Sequence, residues 1–456
     1  MEEKQYLEKI PTNLLDEKVP FHRRISYALT DTGGNLLYCI ISSYLLYFYT
    51  DVFGLSVGVA GTLLLIARLV DAVDAPIWGM IIDRTKSKYG QSRPYFLWMS
   101  IPFAIFTVLT FVTPNLDGGA KIAYAAITYI LAGICYTGIA TPITSILPNL
   151  SSNPNERVVL NSFRMVGGNV GNFLAVTFTL PLAALLGNGN DQKGFPLAVA
   201  VFAVIAVVMF LIAFANLREI NTERIKPVSI RHSVKAVKGN WPWIILIIAN
   251  LIFWIGLTIR TSTIVYYFEY NLEKKELVPF INGISIIQVL GMAAIPFIVK
   301  LTKKYSTMIL GFVLAASGQV IMYFADASLS VIITGWVIGC IGSGIACSMP
   351  FAMLSDSVDY GEWKTGVRAS GFLTAIGSAF CIKAGAGLGG FLPTQIMSMF
   401  GYIPNTTQTS SSLLGIQFSF IWLPAIVFIL GIIPMVFYAK YEKNERNIQI
   451  ELATRK

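Results

Sequence analysis

Two aspartates lie one helical turn apart within an otherwise apolar stretch of the chain. Residues 57–82 are long and apolar enough to cross a bilayer, yet they contain Arg68, Asp71 and Asp74. A charged side chain at the bilayer centre costs at least about 2.5 kcal/mol, so such residues mark a pathway for an ion or substrate. Residues three apart share one face of a helix, so Asp71 and Asp74 are predicted to form a shared cation or proton site.

The composition indicates that this stretch lies in lipid. Hydrophobic residues make up 55% of the 456 residues, charged residues only 13%, and the mean hydropathy is +0.64. A soluble domain of average usage contains about twice as many charged residues. Apolar segments of roughly 20 residues are long enough to cross the hydrocarbon core as helices. Twelve are predicted, at 26–49, 57–82, 95–114, 121–146, 158–187, 195–216, 242–270, 278–299, 307–325, 328–354, 367–399 and 412–439.

The Lys and Arg residues that give the net charge of +9 lie mainly between the apolar segments rather than on one basic face. With both termini placed inside, most Lys and Arg residues fall in cytoplasmic segments, and only Lys121, Lys193, Lys274 and Lys275 fall outside. This asymmetry is the positive-inside rule. The sequence therefore predicts a multi-pass protein of the cell membrane (inner or plasma membrane) with cytoplasmic termini, surrounded by lipid and without a nucleic-acid partner.

The spans divide into two sets of six, a plan typical of secondary transporters. Arg164-Met-Val-Gly167 opens the fifth span and Arg368-Ala-Ser-Gly371 opens the eleventh, which supports a weak internal repeat. We expect neither a signal peptide nor an appended phosphotransfer domain. The predicted parts are a six-helix bundle over 1–217, a cytoplasmic connector over 218–241, a second bundle over 242–440 and a cytoplasmic tail over 441–456.

Polar residues in the first half are predicted to contact a small-molecule substrate. They are Asp31, Asn35, Thr141 and Arg164, in the first, fourth and fifth spans. Alternatives stay open: Asp31 as a helix cap at the membrane surface, and Arg164 as an anchor to lipid headgroups. Thr137 and Thr141 either present hydroxyls to a cavity or bond the carbonyls of their own helix.

Three residues of the second half are predicted to contribute to the same site. Arg260 and Tyr267 lie in the seventh span and Lys383 in the eleventh. Arg260 either donates to a substrate or serves as the counter-ion of Asp71 or Asp74. A Lys in mid-span requires a carboxylate partner or a water-filled cavity.

Charged residues at the cytoplasmic ends of the spans are predicted to form a gate. Asp83 and Arg84 follow the second span, and Asp359, Glu362 and Arg368 follow the tenth. Ion pairs that break when a protein changes state are a recurring switching device. The alternative is that these charges only orient the chain in the membrane.

Several of these motifs occur together in one known family. The runs YLLYFYTDVFGLSVGVAGTLLLIARLVDAVDAPIWGMIIDRTKSKYGQSRPY and SDSVDYGEWKTGVRASG, the Lys383 segment and GYIPN before the last span carry the likeness. The chain resembles the glycoside–pentoside–hexuronide:cation symporters, the melibiose-permease family of the major facilitator superfamily. The resemblance implies an all-α membrane protein of twelve transmembrane helices in two pseudo-symmetric six-helix bundles. It also implies a central sugar site, with inward transport coupled to Na⁺, Li⁺ or H⁺ by alternating access.

The coupling residues of that family carry over in part. The family's second span has Asp, then Asn three residues on and Asp directly after it, assisted by a fourth-span Thr. Here these positions read Asp71, Asp74 and Ala75, with Thr137 matching the Thr. One carboxylate has moved by one residue, about 100° around the helix. Because two close carboxylates in a low dielectric do not both ionise readily, H⁺ is favoured over Na⁺ as the coupling ion.

The sugar site departs further from the family. The acids of the first and fourth spans are replaced by Asn35 and Ala140, whereas Arg164 and Lys383 match family positions. A neutral glycoside or pentoside is favoured over a hexuronide. Alternative functions are a lipid or lysolipid transporter, a sugar uniporter, a drug exporter or a sugar sensor. The sequence contains no nucleophile–base set, so we expect no enzyme activity and no cofactor besides the coupling cation.

Overall fold

A computed structural model describes residues 18–85, 87–151, 154–219, 237–325, 328–366 and 376–445, with 373, 447, 448 and 451. Throughout this part of the chain the regular elements are helices. Eight of the described helices are long and apolar enough to cross a membrane, and Pro94–Thr110 is a shorter apolar helical stretch. The described residues therefore agree with the predicted all-α class.

The helices of the first half begin with α1, whose last turn widens into a π-turn at Phe48–Val52. The third predicted span is broken after Trp98 into two short helices. The helices are α1 Phe21–Tyr47, α2 Val57–Arg84, α3 Pro94–Trp98, α4 Ser100–Thr110, α5 Gly118–Ser145, α6 Leu147–Leu150, α7 Pro154–Gly187 and α8 Asp191–Asn216.

The second half starts with α9, which also ends in a π-turn, at Tyr267–Asn271. Two further π-turns, Ile376–Phe380 and Phe418–Trp422, precede α14 and α16. The helices are α9 Trp241–Tyr266, α10 Val278–Ile284, α11 Gln288–Leu301, α12 Lys304–Tyr323, α13 Leu329–Thr365, α14 Cys381–Met399, α15 Ser410–Gln417 and α16 Leu423–Glu442.

The chain forms two packing units whose boundary does not coincide with its midpoint. The first contains Met1–Ile41 and Val73–Ile225, and the second contains Ser42–Ala72 and Lys226–Lys456. Helices α1 and α2 therefore each pass from one unit into the other. The predicted bundle boundaries stay predictions, and connector residues 220–236 lie outside the described part.

Glycines let α1 and α7 pack backbone to backbone within the first unit. A Cβ at Gly167 would lie 2.4 Å from the carbonyl oxygen of Ala28, and one at Gly171 would lie 2.4 Å from that of Thr32. Small residues at helix interfaces are the usual means of close approach in membranes, where lipid removes the hydrophobic drive for association. This packing holds the polar face of α1 against the start of α7.

The second unit repeats this device between α12 and α13. A Cβ at Gly318 would lie 2.4 Å from the carbonyl oxygen of Gly335, and one at Gly335 would lie 2.6 Å from that of Gly318. Next to this interface, Phe253 packs its ring against Phe312 and Phe428, with ring centroids 6.4 and 6.3 Å apart. These aromatic side chains fill the core between α9, α12 and α16.

We expect Gly318→Ala to lower the unfolding temperature of the detergent-solubilised protein. The new methyl group meets backbone atoms that cannot rotate away, and such overpacking costs about 1–3 kcal/mol. Gly79→Ala is the matched control, because nothing lies within 4 Å of a Cβ at this helical position. Equal unfolding temperatures for the two variants would contradict the close packing of α12 and α13.

Candidate functional site

Asp71 is the centre of a buried ionic cluster in the second unit. The Arg68 guanidinium donates to Asp71 Oδ2 at 2.9 Å, and the two side chains are only 8% and 6% exposed. Lys383 Nζ donates to the backbone carbonyl oxygen of Asp71 at 2.8 Å. Lys383 is half-buried and this bond is to a backbone oxygen, so the carboxylate partner or water-filled cavity expected for Lys383 stays a prediction.

Antiparallel packing of α2 on α14 produces this arrangement. The two helices meet through small residues and run in opposite directions. Residues one turn earlier on α2 therefore contact residues one turn later on α14. The contacting pairs are Asp71 with Lys383, Arg68 with Gly387, Leu64 with Gly390 and Gly61 with Thr394. A Cβ at Gly387 would lie 2.8 Å from Arg68 Cβ, so a larger residue there would push the helices apart. The glycines of the eleventh span thus bring Lys383 within reach of α2.

The other two predicted coupling residues belong to the first unit. Asp74 is 7% exposed and Thr137 is 3% exposed. The Thr137 hydroxyl donates to the carbonyl oxygen of Gly133 at 3.2 Å, the contact with its own helix considered above. The role of Asp71, Asp74 and Thr137 in cation binding stays a prediction.

Three of the four predicted substrate residues of the first unit form a connected polar group. Arg164 NH1 donates to Asp31 Oδ2 at 3.3 Å, and the side chains are 22% and 20% exposed. Arg164 also donates to Asn161 Oδ1, and Asn35 Nδ2 donates to the Asp31 carbonyl oxygen at 2.9 Å. Gly168 leaves room for this group, because a Cβ there would lie 2.8 Å from Asp31 Oδ2.

Two tyrosines that sequence reasoning missed, one on α1 and one on α5, stack on each other beyond this group. Tyr38 lies one turn beyond Asn35 and stacks on Tyr136 of α5, with ring centroids 4.5 Å apart. Neither ring is fully buried. Thr141, on α5, is half-buried and its carbonyl accepts from the Thr144 hydroxyl at 2.9 Å. Carboxylate, amide and aromatic groups together are suited to binding the hydroxyls and the apolar face of a sugar ring.

Arg260 is placed between α9 and α13 and is 2% exposed. Its guanidinium donates to the Ser343 hydroxyl at 3.2 Å, the Trp336 carbonyl oxygen at 3.1 Å and Cys340 Sγ at 3.2 Å. It also lies 3.8 Å from the centroid of the Trp336 ring. These partners are neutral, whereas the carboxylate of Asp71 is bonded to Arg68.

Tyr267 belongs to the aromatic packing beside Arg260. Its ring stacks on Phe420 at 4.7 Å, and Phe420 in turn stacks on Trp336 at 6.3 Å. Tyr267 is 5% exposed. The structure thus places Arg260 and Tyr267 in one buried stack within the second unit, and their contact with substrate stays a prediction.

The predicted gate residues are described only in part. Arg368 lies outside the described residues, as does the side chain of Asp83, while Arg84 is exposed and Asp359 is half-buried. The ion pairs that the structure does describe near the ends of the helices involve other residues. In the second unit, Lys304 at the start of α12 bonds to Asp356 and Glu445, each at 2.7 Å. In the first unit, Arg24 bonds to Glu156 at 3.0 Å. A gate formed by the predicted residues stays a prediction.

A further buried carboxylate, Asp51, was missed by sequence reasoning. It lies at the end of α1, where an acid reads as an ordinary loop residue, and is 6% exposed. Tyr270 and Tyr402 both donate to it. The sequence signal that was available is the run Tyr-Phe-Tyr-Thr-Asp, in which an acid directly follows aromatic residues.

Comparison with known proteins identifies the class to which this arrangement belongs. An isoprimeverose transporter of Lactiplantibacillus pentosus is 42% identical over 440 residues, covering 95% of this chain and 91% of the relative. The uncharacterized symporter YnaJ of Bacillus subtilis (strain 168) is 33% identical, covering 96% of each chain. A solved bacterial homologue of the human lysosomal transporter Spinster superposes with a TM-score of 0.71 at 14% identity, covering 92% of this chain and 97% of that chain.

The helical architecture is that of the major facilitator fold. A family model described as MFS/sugar transport protein matches residues 26–440, and the chain belongs to this family. The predicted resemblance and the twelve-helix, all-α fold class are confirmed. Sugar or glycoside symport, rather than enzyme activity, is likewise confirmed.

We expect Arg260→Lys to reduce stability more than substrate affinity. Lysine keeps the charge but loses the fork of donors and the stack on Trp336, which is worth about 1–3 kcal/mol. The unfolding temperature in detergent should fall, while the KM for sugar uptake should change less than twofold. A tenfold rise in KM at an unchanged unfolding temperature would instead establish contact with the substrate.

Proposed function

We propose that this transporter carries a neutral pentose-containing glycoside into the cell by symport with H⁺. The observation that carries the proposal is the pairing of charges at both polar groups. Arg164 is bonded to Asp31 in the first unit, and Arg68 is bonded to Asp71 in the second. A guanidinium already paired with a carboxylate gains little from an anionic substrate, which favours a neutral one.

The class of substrate is supported by the relative that transports isoprimeverose and by the chemistry of α1. Asp31 and Asn35 offer acceptors and donors for sugar hydroxyls, and the Tyr38–Tyr136 stack offers an aromatic face. A site built to hydrogen-bond hydroxyls discriminates strongly against analogues that lack them. We therefore propose isoprimeverose-like pentosides as the substrate class.

Proton coupling is supported by the surroundings of Asp71. The carboxylate is buried and bonded to Arg68, with Lys383 close by on its backbone carbonyl. Protonation of the Asp71 carboxylate would weaken its bond to Arg68 and leave the Arg68 guanidinium to find another partner. A proton on Asp71 can thereby change the packing of α2 on α14, and this coupling of charge to packing is what symport requires.

We also propose a location and an orientation. The distribution of Lys and Arg supports cytoplasmic termini in the cell membrane, inner or plasma membrane. Import follows from symport, because an inward proton gradient drives the co-transported sugar in the same direction as the proton. An epitope tag at the C-terminus, tested for antibody access in intact and permeabilised cells, checks the orientation.

Uptake of isoprimeverose into proteoliposomes tests the coupling ion. We expect a pH gradient alone to drive accumulation and a Na⁺ gradient alone to drive none. Asp71→Asn should abolish accumulation, because an amide neither binds nor releases the proton. Accumulation driven by Na⁺ alone would contradict proton coupling.

The control for Asp71→Asn is the double variant Arg68→Gln/Asp71→Asn. Asp71→Asn alone removes the charge that compensates the buried Arg68 guanidinium, and this lowers the free energy of unfolding by about 3–5 kcal/mol. The double variant removes both charges together. The double variant should unfold at the wild-type temperature and exchange sugar across the membrane without accumulating it. Accumulation by the double variant would show that Asp71 is not the coupling group.

Competition for isoprimeverose uptake tests the charge of the substrate. A neutral methyl xyloside should inhibit uptake and a phenyl glucuronide should not, because Arg164 is held by Asp31. Asp31→Asn should release the guanidinium, so that inhibition by the glucuronide rises at least tenfold. Strong inhibition of the wild type by the glucuronide, with none by the xyloside, would overturn the neutral substrate.

A further inference from the structure

The first unit contains a groove whose described lining residues all have apolar side chains. Its volume is about 420 Å³, and it lies between α1, α7 and α8. Leu36 of α1 and Phe202 of α8 are buried and form its floor. A volume of this size is in the range of ligand sites, and walls without polar groups offer water no hydrogen-bond partners. The groove is therefore suited to a hydrocarbon ligand.

The rim of the groove is on the lipid-facing surface of the first unit. Phe178 and Leu185 of α7 and Val201 and Ile205 of α8 line the groove and are exposed. All four lie within Val159–Gly187 or Asp191–Asn216, two segments that are long and apolar enough to cross a membrane. Exposed apolar side chains at this depth of the chain meet acyl chains rather than water. The groove is therefore open to the bilayer.

Glycines hold α7 and α8 together beyond one end of the groove. A Cβ at Gly194 would lie 2.1 Å from the carbonyl oxygen of Ala183, and one at Gly187 would lie 2.8 Å from the Cα of Gly194. Pro181, which lines the groove, lies two residues before Ala183. A proline inside a helix kinks it, because the ring clashes with the carbonyl four residues earlier. The two helices thus touch at this end and leave the groove beside the proline.

A lysine lies at the same end. A Cβ at Gly187 would lie 3.8 Å from the carbonyl carbon of Lys193, whose side chain is exposed. Residues four apart share a helix face, so Lys193 and Leu197 continue the row of Val201 and Ile205 along α8. Lys193 is one of the four lysines that the sequence predicts outside, so the positive-inside rule gives no reason for its charge.

We propose that this groove binds one phospholipid, with an acyl chain between α7 and α8 and the phosphate at Lys193. An apolar groove that ends at a cation matches the two parts of this ligand, a hydrocarbon chain and an anionic group. A lysine at the end of a span extends its amine toward the headgroups, where it meets the phosphate. The bound lipid is separate from the sugar and is not transported.

The lipid would bridge the two helices that carry the polar group of the first unit. Its chain contacts Leu36 of α1 and Leu174 of α7. Asp31 lies on α1 and Arg164 on α7, and the pair depends on how these helices pack. We therefore expect the bound lipid to stabilise the first unit.

Titration of the delipidated full-length protein with palmitoyl-oleoyl phosphatidylglycerol in detergent tests the site. The rise in unfolding temperature with lipid concentration gives an apparent Kd. Val201→Trp places an indole in the groove, and we expect about tenfold weaker binding, the loss that follows when about two methylene groups are displaced. Val208→Trp is the matched control, because it makes the same change at an exposed position of α8 outside the groove lining. Equal Kd values for the two variants would overturn the proposal.

Lys193→Gln tests the place of the phosphate. The Kd for phosphatidylglycerol should rise about fivefold, because a lysine near an anionic lipid contributes about 1 kcal/mol. The Kd for palmitoyl-oleoyl glycerol, which has the same chains and no phosphate, should stay unchanged. Lys274→Gln is the control, since this lysine is exposed, is also predicted outside and belongs to the second unit. An equal rise for both variants would be a general effect of charge and would refute the assignment of the phosphate to Lys193.

Native mass spectrometry distinguishes a lipid from a second copy of this chain as the occupant. The wild type and Val208→Trp should each retain one lipid per chain, whereas Val201→Trp should retain none. A wild-type dimer without lipid that Val201→Trp converts to a monomer would assign the groove to a second copy and overturn the proposal. Neither readout involves sugar uptake, so a failure of the proposed function would leave the lipid result valid.

Discussion

A charge within a membrane span has to be compensated by the protein itself, because hydrocarbon offers it no water. This constraint accounts for the most informative contacts in both units. Arg68 and Asp71 compensate each other, and Asp31 and Arg164 do so in the first unit. A compensated pair is close to neutral as a whole, so its net charge changes when one member gains or loses a proton. That property links the placement of the pairs to a transport cycle driven by an ion.

Two other buried charges are compensated without an opposite charge among the described residues. Arg260 uses a hydroxyl, a carbonyl, a thiol and the face of an indole ring, and Asp51 uses three hydroxyls. Arg260 is surrounded by aromatic packing inside the second unit, which favours a fixed position. Asp51 stands where three chain segments meet, and its donors come from all three of them. The same physical problem is thus solved for a cation and for an anion by neutral groups alone.

Close packing is the second requirement, because directed contacts between helices need their backbones to be near each other. The α2–α14 contact illustrates this, since Gly61, Gly387 and Gly390 leave room for larger partners on the opposite helix. Only in this register does Lys383 reach the backbone of Asp71. The glycines therefore determine which polar groups meet, although they carry no chemistry themselves.

The sequence alone was sufficient to determine the helical class, the transport family and the presence of costly polar residues such as Asp71 and Lys383. These properties follow from local composition, since about 20 apolar residues must span the membrane and any charge among them stands out. It did not determine which residues pair, because a pair such as Arg164 with Asp31 depends on how distant helices pack. Asp51 was overlooked for the same reason: at a helix end an acid is locally unremarkable, and only the tertiary structure surrounds it with Tyr270 and Tyr402.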